Sequence, residues 1–310
     1  MSRNLARQAE RMPSMSITPR RLPFVRAAFR SMMRAAGRQL ETGVDFTDQT
    51  LGGVDVRVYR PTSRARSADS SPGLIWMHGG GFILGSHKEN SVCSAFVAAL
   101  DIPVVSVKYP LAPEHPFPAA LDDLFAAVRS IHAGKLPGVD PDRLAVGGQS
   151  AGGGLAASLA QRLLDEDMNA AGQLLVYPML DDRTAVRADI GDQEHKAWNK
   201  RSNLTGWTSY LGTTPGQEAT PLYAVPARRD DLSGLPPAWV GVGSADLFHD
   251  ESVAYAERLD AARVPCETMI VPDAIHGFDA LPGGKASPEA EQFRTGQHQF
   301  LRRVLDLPKI

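Results

Sequence analysis

Leu144-Ala145-Val146-Gly147-Gly148-Gln149-Ser150-Ala151-Gly152-Gly153-Gly154 is an apolar run that stops at a serine between glycines and continues in residues suited to a helix. It reads as a strand, a sharp turn and a helix. Gly148 and Gly152 complete the pattern G-x-S-x-G, in which glycines are needed because strand and helix pack too closely for side chains. A serine on such a turn is strained, with its hydroxyl exposed at the end of a sheet: the geometry of a nucleophile elbow. A plainer reading is a glycine-rich turn that caps a helix with Ser150 or cradles a phosphate. The rest of the chain separates the two.

On both sides of this stretch, strands alternate with helices. Val56–Tyr59, Leu74–Met77, Val104–Val107, Gln173–Tyr177, Trp239–Gly243 and Thr268–Val271 read as strands, and 91–100, 117–132, 250–263 and 289–305 as helices. This predicts an α/β fold with a mostly parallel central sheet covered by helices on both faces. Ligands then bind beyond the carboxyl ends of the strands. Between Asp181 and Leu235 the alternation breaks down in a long, Gly- and Pro-punctuated stretch that carries Trp198, Trp207, Tyr210 and Tyr223. Loops this long inside a domain are usually functional, and residues 183 to about 222 are expected to form an inserted lid.

Residues 1–45 are expected to be an N-terminal cap segment and residues 46–310 the catalytic domain. Leu22, Val25, Phe29 and Met32/Met33 recur at three- and four-residue steps, one face of a helix. Such a helix suits the cover of an active site, and also a membrane interface. The first forty residues hold nine arginines and one acid, Glu10, a composition that would also fit an organellar transit peptide. The covering helix is the favoured reading.

Lysine plus arginine number 33 and aspartate plus glutamate 35, a balance that gives no field for nucleic acid or acidic membrane. The expected partner is a small molecule. Cys93 and Cys266 have no metal or redox spacing and are read as buried thiols. With no apolar run long enough for stable membrane insertion and no secretory h-region, a cytoplasmic location is expected.

A serine hydroxyl needs a base, and the base needs an orienting acid. Of the eight histidines, His276 is the best placed, in the loop after the strand ending at Val271. His115, His132, His195 and His298 fall in helices or polar loops. Asp246 follows the strand ending at Gly243, with Asp250 and Glu251 as competitors; an Asp there also suits a helix cap. The order Ser150, Asp246, His276 is that of triads on this architecture. Carbonyl attack also creates an oxyanion that needs N–H donors. His78-Gly79-Gly80-Gly81, just after a strand, is placed to supply them, with the amide of Ala151 as a third.

With these motifs in order, the chain resembles the hormone-sensitive-lipase family of α/β-hydrolase carboxylesterases, the bacterial family IV type, from about residue 40 onward. Tyr109-Pro110-Leu111-Ala112-Pro113-Glu114-His115-Pro116-Phe117-Pro118-Ala119-Ala120 is close to that family's Y-R-L-A-P-E-H-x-F-P-A-A. Leu235-Pro236-Pro237-Ala238 through His276-Gly277-Phe278 resembles its acid and histidine motifs. The resemblance implies Ser150 as nucleophile, His276 as general base then acid, and Asp246 as its partner. Gly80, Gly81 and Ala151 would form the oxyanion hole. It also implies short to medium acyl esters as substrates, no cofactor or metal, and a helical cap made from the N-terminal segment plus an insertion.

Four positions depart from the family pattern. Gln149 replaces the usual Asp or Thr, Pro110 an Arg, Leu247 a Pro and Gly154 an Asn. None is a triad position. A non-catalytic receptor on the same fold is the alternative from another class, and an amide, lactone or carbamate is the alternative scissile bond. A homodimer is compatible with the sequence.

Overall fold

The computed structural model describes residues 5, 10, 12, 16–36, 40–64, 70–192, 195–281 and 284–308. Its strands are β1 (Val44–Leu51), β2 (Val54–Pro61), β3 (Ser71–Met77), β4 (Val104–Val107), β5 (Val139–Gln149), β6 (Gly172–Val176), β7 (Ala238–Gly243) and β8 (Cys266–Val271). Its helices are α1 (Leu22–Ala36), α2 (Asn90–Leu100), α3 (Ala119–His132), α4 (Ala151–Asp165), α5 (Lys200–Leu211), α6 (His249–Ala261) and α7 (Pro288–Val304). The strands form one sheet in the order β1-β2-β4-β3-β5-β6-β7-β8. β1, β2 and β4 pair antiparallel, and every pairing from β4 to β8 is parallel.

Parallel strands covered on both faces are apolar throughout, and β3, β4, β6 and β7 are buried along their whole length. Successive side chains point to opposite faces. Ile75, Met77, Val146 and Val240 therefore join the core under α3, α4 and α6. Leu74, Trp76, Ala145 and Trp239 join the core under α2 and α7. The carboxyl ends of β5, β7 and β8 open at one edge, where three loops carry Ser150, Asp246 and His276.

The expected strands and helices of the α/β core are present. β1 is an addition, joined to β2 through Gly52-Gly53, which take φ of 60° and 87°; the expected boundary at residue 45 falls inside it. α5 lies within the expected insertion. Leu22 of α1 is buried and Val25 packs against the core, whereas Phe24 is exposed. The side chains of Met32 and Met33, and most residues before Ser16, lie outside the described residues. Cys93 is buried as expected, but Cys266 is only partly so, because β8 is an edge strand. Among the described residues no helix is long and apolar enough to cross a membrane.

Candidate active site

Strand β5 and helix α4 cross at a separation only glycine permits. A Cβ on Gly148 would lie 2.4 Å from the carbonyl oxygen of Gly152, and one on Gly152 would lie 2.1 Å from that of Met77. The turn between them puts Ser150 at φ 57°, ψ −122°, a strained conformation for a residue with a side chain. Neighbouring backbone holds it there. Ser150 N–H donates to Val176 O (2.8 Å), and its carbonyl accepts from Met179 N–H (3.0 Å) and Gly154 N–H (3.1 Å).

His276 reaches the same point from the loop after β8. Its Nε2 is 2.9 Å from Ser150 Oγ, and its Nδ1 is 2.8 Å from Asp246 Oδ2. Asp246 is 3 % exposed, and its other oxygen accepts from Phe248 N–H at 2.9 Å. It thus ties down its own loop while it aligns the imidazole; the N-cap of α6 is Phe248, with no side-chain cap bond, so Asp246 is the partner of His276 and not the helix cap. Edge-on contacts with Tyr177 (5.0 Å) and Phe248 (5.1 Å) flank the ring.

The competing acids turn elsewhere. Asp250 pairs with Arg187 at 2.8 Å, and that hydrogen bond holds its carboxyl below the usual range. Glu251 is buried and accepts from the N–H of Leu180 (2.7 Å) and Asp181 (3.2 Å) and from the Thr184 hydroxyl. It secures the chain leaving β6.

The His78–Gly81 loop lies beside the elbow. A Cβ on Gly79 would touch Gln149 at 3.1 Å. Gly80 and Gly81 have φ of 123° and 60°, and Gly80 O accepts from Ile83 N–H (3.1 Å) and Leu84 N–H (2.8 Å) in a tight turn. Among the described residues no backbone carbonyl accepts from the N–H of Gly80 or Gly81. Ala151 opens α4, and the first N–H of a helix has no partner within it. The three amides named from sequence therefore have donor capacity in hand. His78 stacks on Tyr109 (ring centroids 4.2 Å apart), and burial holds its imidazole down at about 4. It is neutral at pH 7, with Nδ1 2.8 Å from Gly79 O: a brace for the loop, not an acid or base.

The described part of the N-terminal segment packs on this loop and on the insertion. Arg26 of α1 donates to Ile83 O (2.8 Å) and Ala112 O (2.6 Å) and pairs with Glu114. Ile17 N–H donates to Ser202 Oγ of α5, and Ile17 O accepts from Thr205 Oγ1, both at 2.9 Å.

Residues 74–280 match a family model described as the alpha/beta hydrolase fold. The chain belongs to the α/β-hydrolase family. Over 243 residues, this α/β hydrolase is 35 % identical to the esterase LipI of Mycobacterium tuberculosis, covering 76 % of this chain and 74 % of that one. The solved structure of a bacterial heroin esterase superposes with a TM-score of 0.87 at 32 % identity, over 98 % of each chain. An esterase from the bacterial hormone-sensitive lipase family superposes with a TM-score of 0.78 at 26 % identity, over 97 % of this chain and 96 % of that one.

Two departures of this α/β hydrolase have a structural counterpart. Gln149 Nε2 donates to Glu89 Oε1 at 3.0 Å, and Tyr177 OH donates to Gln149 Oε1 at 3.2 Å. Glu89, whose Oε2 accepts from Trp76 Nε1 at 3.0 Å, therefore brings a carboxyl to the residue beside the nucleophile; burial pushes it up to about 7. No motif pointed to Glu89; the unusual Gln149 was the only signal. At Gly154 a Cβ would lie 2.1 Å from Met179 O, so this glycine admits a closer approach of the chain after β6. Leu247 is buried in the core.

Proposed function

We propose that the protein is a serine carboxylesterase that hydrolyses short- to medium-chain acyl esters through an acyl-enzyme. The observation that carries the reading is the unbroken hydrogen-bonded line from Asp246 through His276 to Ser150, beside a glycine loop with unengaged amides. Its relatives' names as esterases support it. Ser150 Oγ attacks the ester carbonyl and its proton passes to His276 Nε2. The charge on the carbonyl oxygen meets the N–H groups of Gly80, Gly81 and Ala151, donors already oriented before reaction. Collapse expels the alcohol, which takes the proton from His276. Water then attacks the acyl-enzyme with His276 again as base, releasing the acid and restoring Ser150. Asp246 keeps the imidazole oriented and stabilises its cation.

In this reading residues 1–45 and 183–222 together form a cap over the acyl site, supported by the contacts of Ile17 and Arg26. Two free thiols are compatible with a reducing, cytoplasmic location, which cell fractionation tests. The activity is tested with p-nitrophenyl esters of increasing acyl length and mass spectrometry after an organophosphonate. Turnover with a single adduct on Ser150 supports the proposal; neither turnover nor adduct overturns it.

A further inference from the structure

Beneath the elbow, on the sheet face covered by α2 and α7, lies a cavity of about 320 Å³. That is at the lower end of the roughly 300–1,000 Å³ of small-molecule sites. Ser150, Asp246 and His276 do not line it; Gln149, one residue from the nucleophile, does. Trp76 from β3 and Val92 and Phe96 from α2 give it an apolar wall, while α7 brings Arg294 and Gln297 to it and the loop before α7 brings Lys285.

Three side chains here, Gln297, Arg294 and Lys285, have donor capacity to spare. Gln297 is 4 % exposed, yet its Nε2 is buried without a partner, an unfavourable condition that a ligand would relieve. Arg294 donates one hydrogen bond, from Nη2 to Lys285 O at 3.0 Å. Neither Arg294 nor Lys285 has an ion-pair partner among the described residues. The cavity's own acids are Glu41, which is exposed, and Asp279, whose carboxyl burial pushes up while the nearby Arg294 pulls it down, and whose Oδ1 is buried without a partner. His298 is held down at about 4 by burial and is neutral. Lys285, the remaining donors of Arg294 and the unpaired Gln297 amide, facing an apolar wall, complement a carboxylate on a hydrocarbon stem.

We propose that this cavity binds a short aliphatic carboxylate, its stem against Trp76 and Phe96 and its oxygens at Gln297, Arg294 and Lys285. The bound molecule lies against Gln149, whose side chain is hydrogen-bonded to Glu89 and Tyr177. If ester hydrolysis is the reaction, as inferred above, carboxylic acids are its products, and this pocket registers their accumulation. The binding itself does not depend on that reading.

Calorimetric titration with hexanoate tests the site directly. Wild type is expected to bind hexanoate more tightly than hexan-1-ol or hexanamide. Gln297→Leu and Arg294→Ala should each weaken hexanoate about tenfold or more, the loss of one hydrogen bond to a charged group. Ala95→Phe, which fills the cavity, should abolish binding. Gln297→Leu keeps volume at a buried site, so it remains informative if Ala95→Phe does not fold. Absent binding to wild type, equal affinity in wild type and Gln297→Leu, or hexan-1-ol binding as tightly as hexanoate would each overturn the proposal. Turnover of p-nitrophenyl butyrate is measured separately, so loss of the esterase reading leaves the binding result standing.

Discussion

A Cβ placed on Gly81 would stand 2.2 Å from the indole ring of Trp198, so the loop assigned to the oxyanion and the insertion after β6 meet with no room for a methyl group. Trp198 is buried and its Nε1 donates to Asn203 Oδ1 of α5 at 3.4 Å. Trp198 of the expected insertion thus packs directly on the glycine loop.

From this contact, Gly81→Ala is expected to lower kcat by about 10²–10³, the effect of losing one oxyanion donor. Its positive φ adds strain for any side chain. If Trp198 is what the methyl group displaces, Gly81→Ala combined with Trp198→Leu should recover part of the loss, leaving the share due to φ. A rise in KM with kcat unchanged would assign the loop to binding alone.

Ser150→Ala should reduce turnover by about 10⁶, because the triad acts as a unit. Asp246→Asn should cost about 10⁴, by favouring the wrong imidazole tautomer. Asp250→Asn, which touches Arg187 rather than His276, should leave turnover within a few-fold. Steady-state rates on p-nitrophenyl butyrate check all three, and a larger loss for Asp250→Asn than for Asp246→Asn would reassign the acid.

Burial lifts Glu89 from an ordinary 4.5 to about 7, so the folded protein holds a proton there that the unfolded chain has released. Stability from this group is therefore fully present below about pH 4.5 and is lost as pH rises towards and through about 7. The difference is about 3 kcal/mol at most. Glu89→Gln removes the charged form, so its melting temperature should exceed that of wild type at pH 8 by more than at pH 5. Equal differences at the two pH values would mean that Glu89 does not titrate between them.

The α/β core was legible because β3, β4, β6, β7 and the second half of β5 are buried on both faces, which writes them as short apolar runs between helices. Ser150, Asp246 and His276 were legible because each follows a strand's carboxyl end. β1 was not, since Val44-Asp45-Phe46-Thr47-Asp48-Gln49-Thr50-Leu51 is an edge strand with mostly exposed, polar residues; the Gly52-Gly53 turn was its one signal. α5 was expected only as part of a helical cap, its bounds unassigned, for a different reason. Beside Trp207 and Tyr210 it buries Ser202, Asn203 and Thr205, two of which bond the N-terminal segment, so half of its buried face is polar and the apolar spacing is incomplete. Its Asn199 cap, accepting from Ser202 N–H, and Gly212 at its end were the readable signs. Glu89 reaches Gln149 from 60 positions away in the chain, a pairing that only the fold creates.

Deleting residues 1–38 tests the N-terminal segment as a cap against a transit peptide. The deletion removes α1, and with it Leu22 from the core and the bonds from Arg26 to Ile83 O and Ala112 O. It also strips Ile17 from Ser202 and Thr205 on α5. Leu22 and the likewise buried Leu5 are worth roughly 1.5–3 kcal/mol each, small beside the sheet and its two cores, so the truncated protein should still fold. What changes is the roof: α5 and the Gly80–Ile83 turn lose a packing partner and apolar surface is opened to water. Hydrolysis of p-nitrophenyl octanoate should then fall more than that of the acetate, because a longer acyl chain depends more on an apolar enclosure. Arg26→Ala should shift the profile in the same direction by a smaller amount, since it loosens α1 without removing it. Removal of a transit peptide would leave solubility and the ratio of octanoate to acetate rates as they were, and that result would exclude the cap.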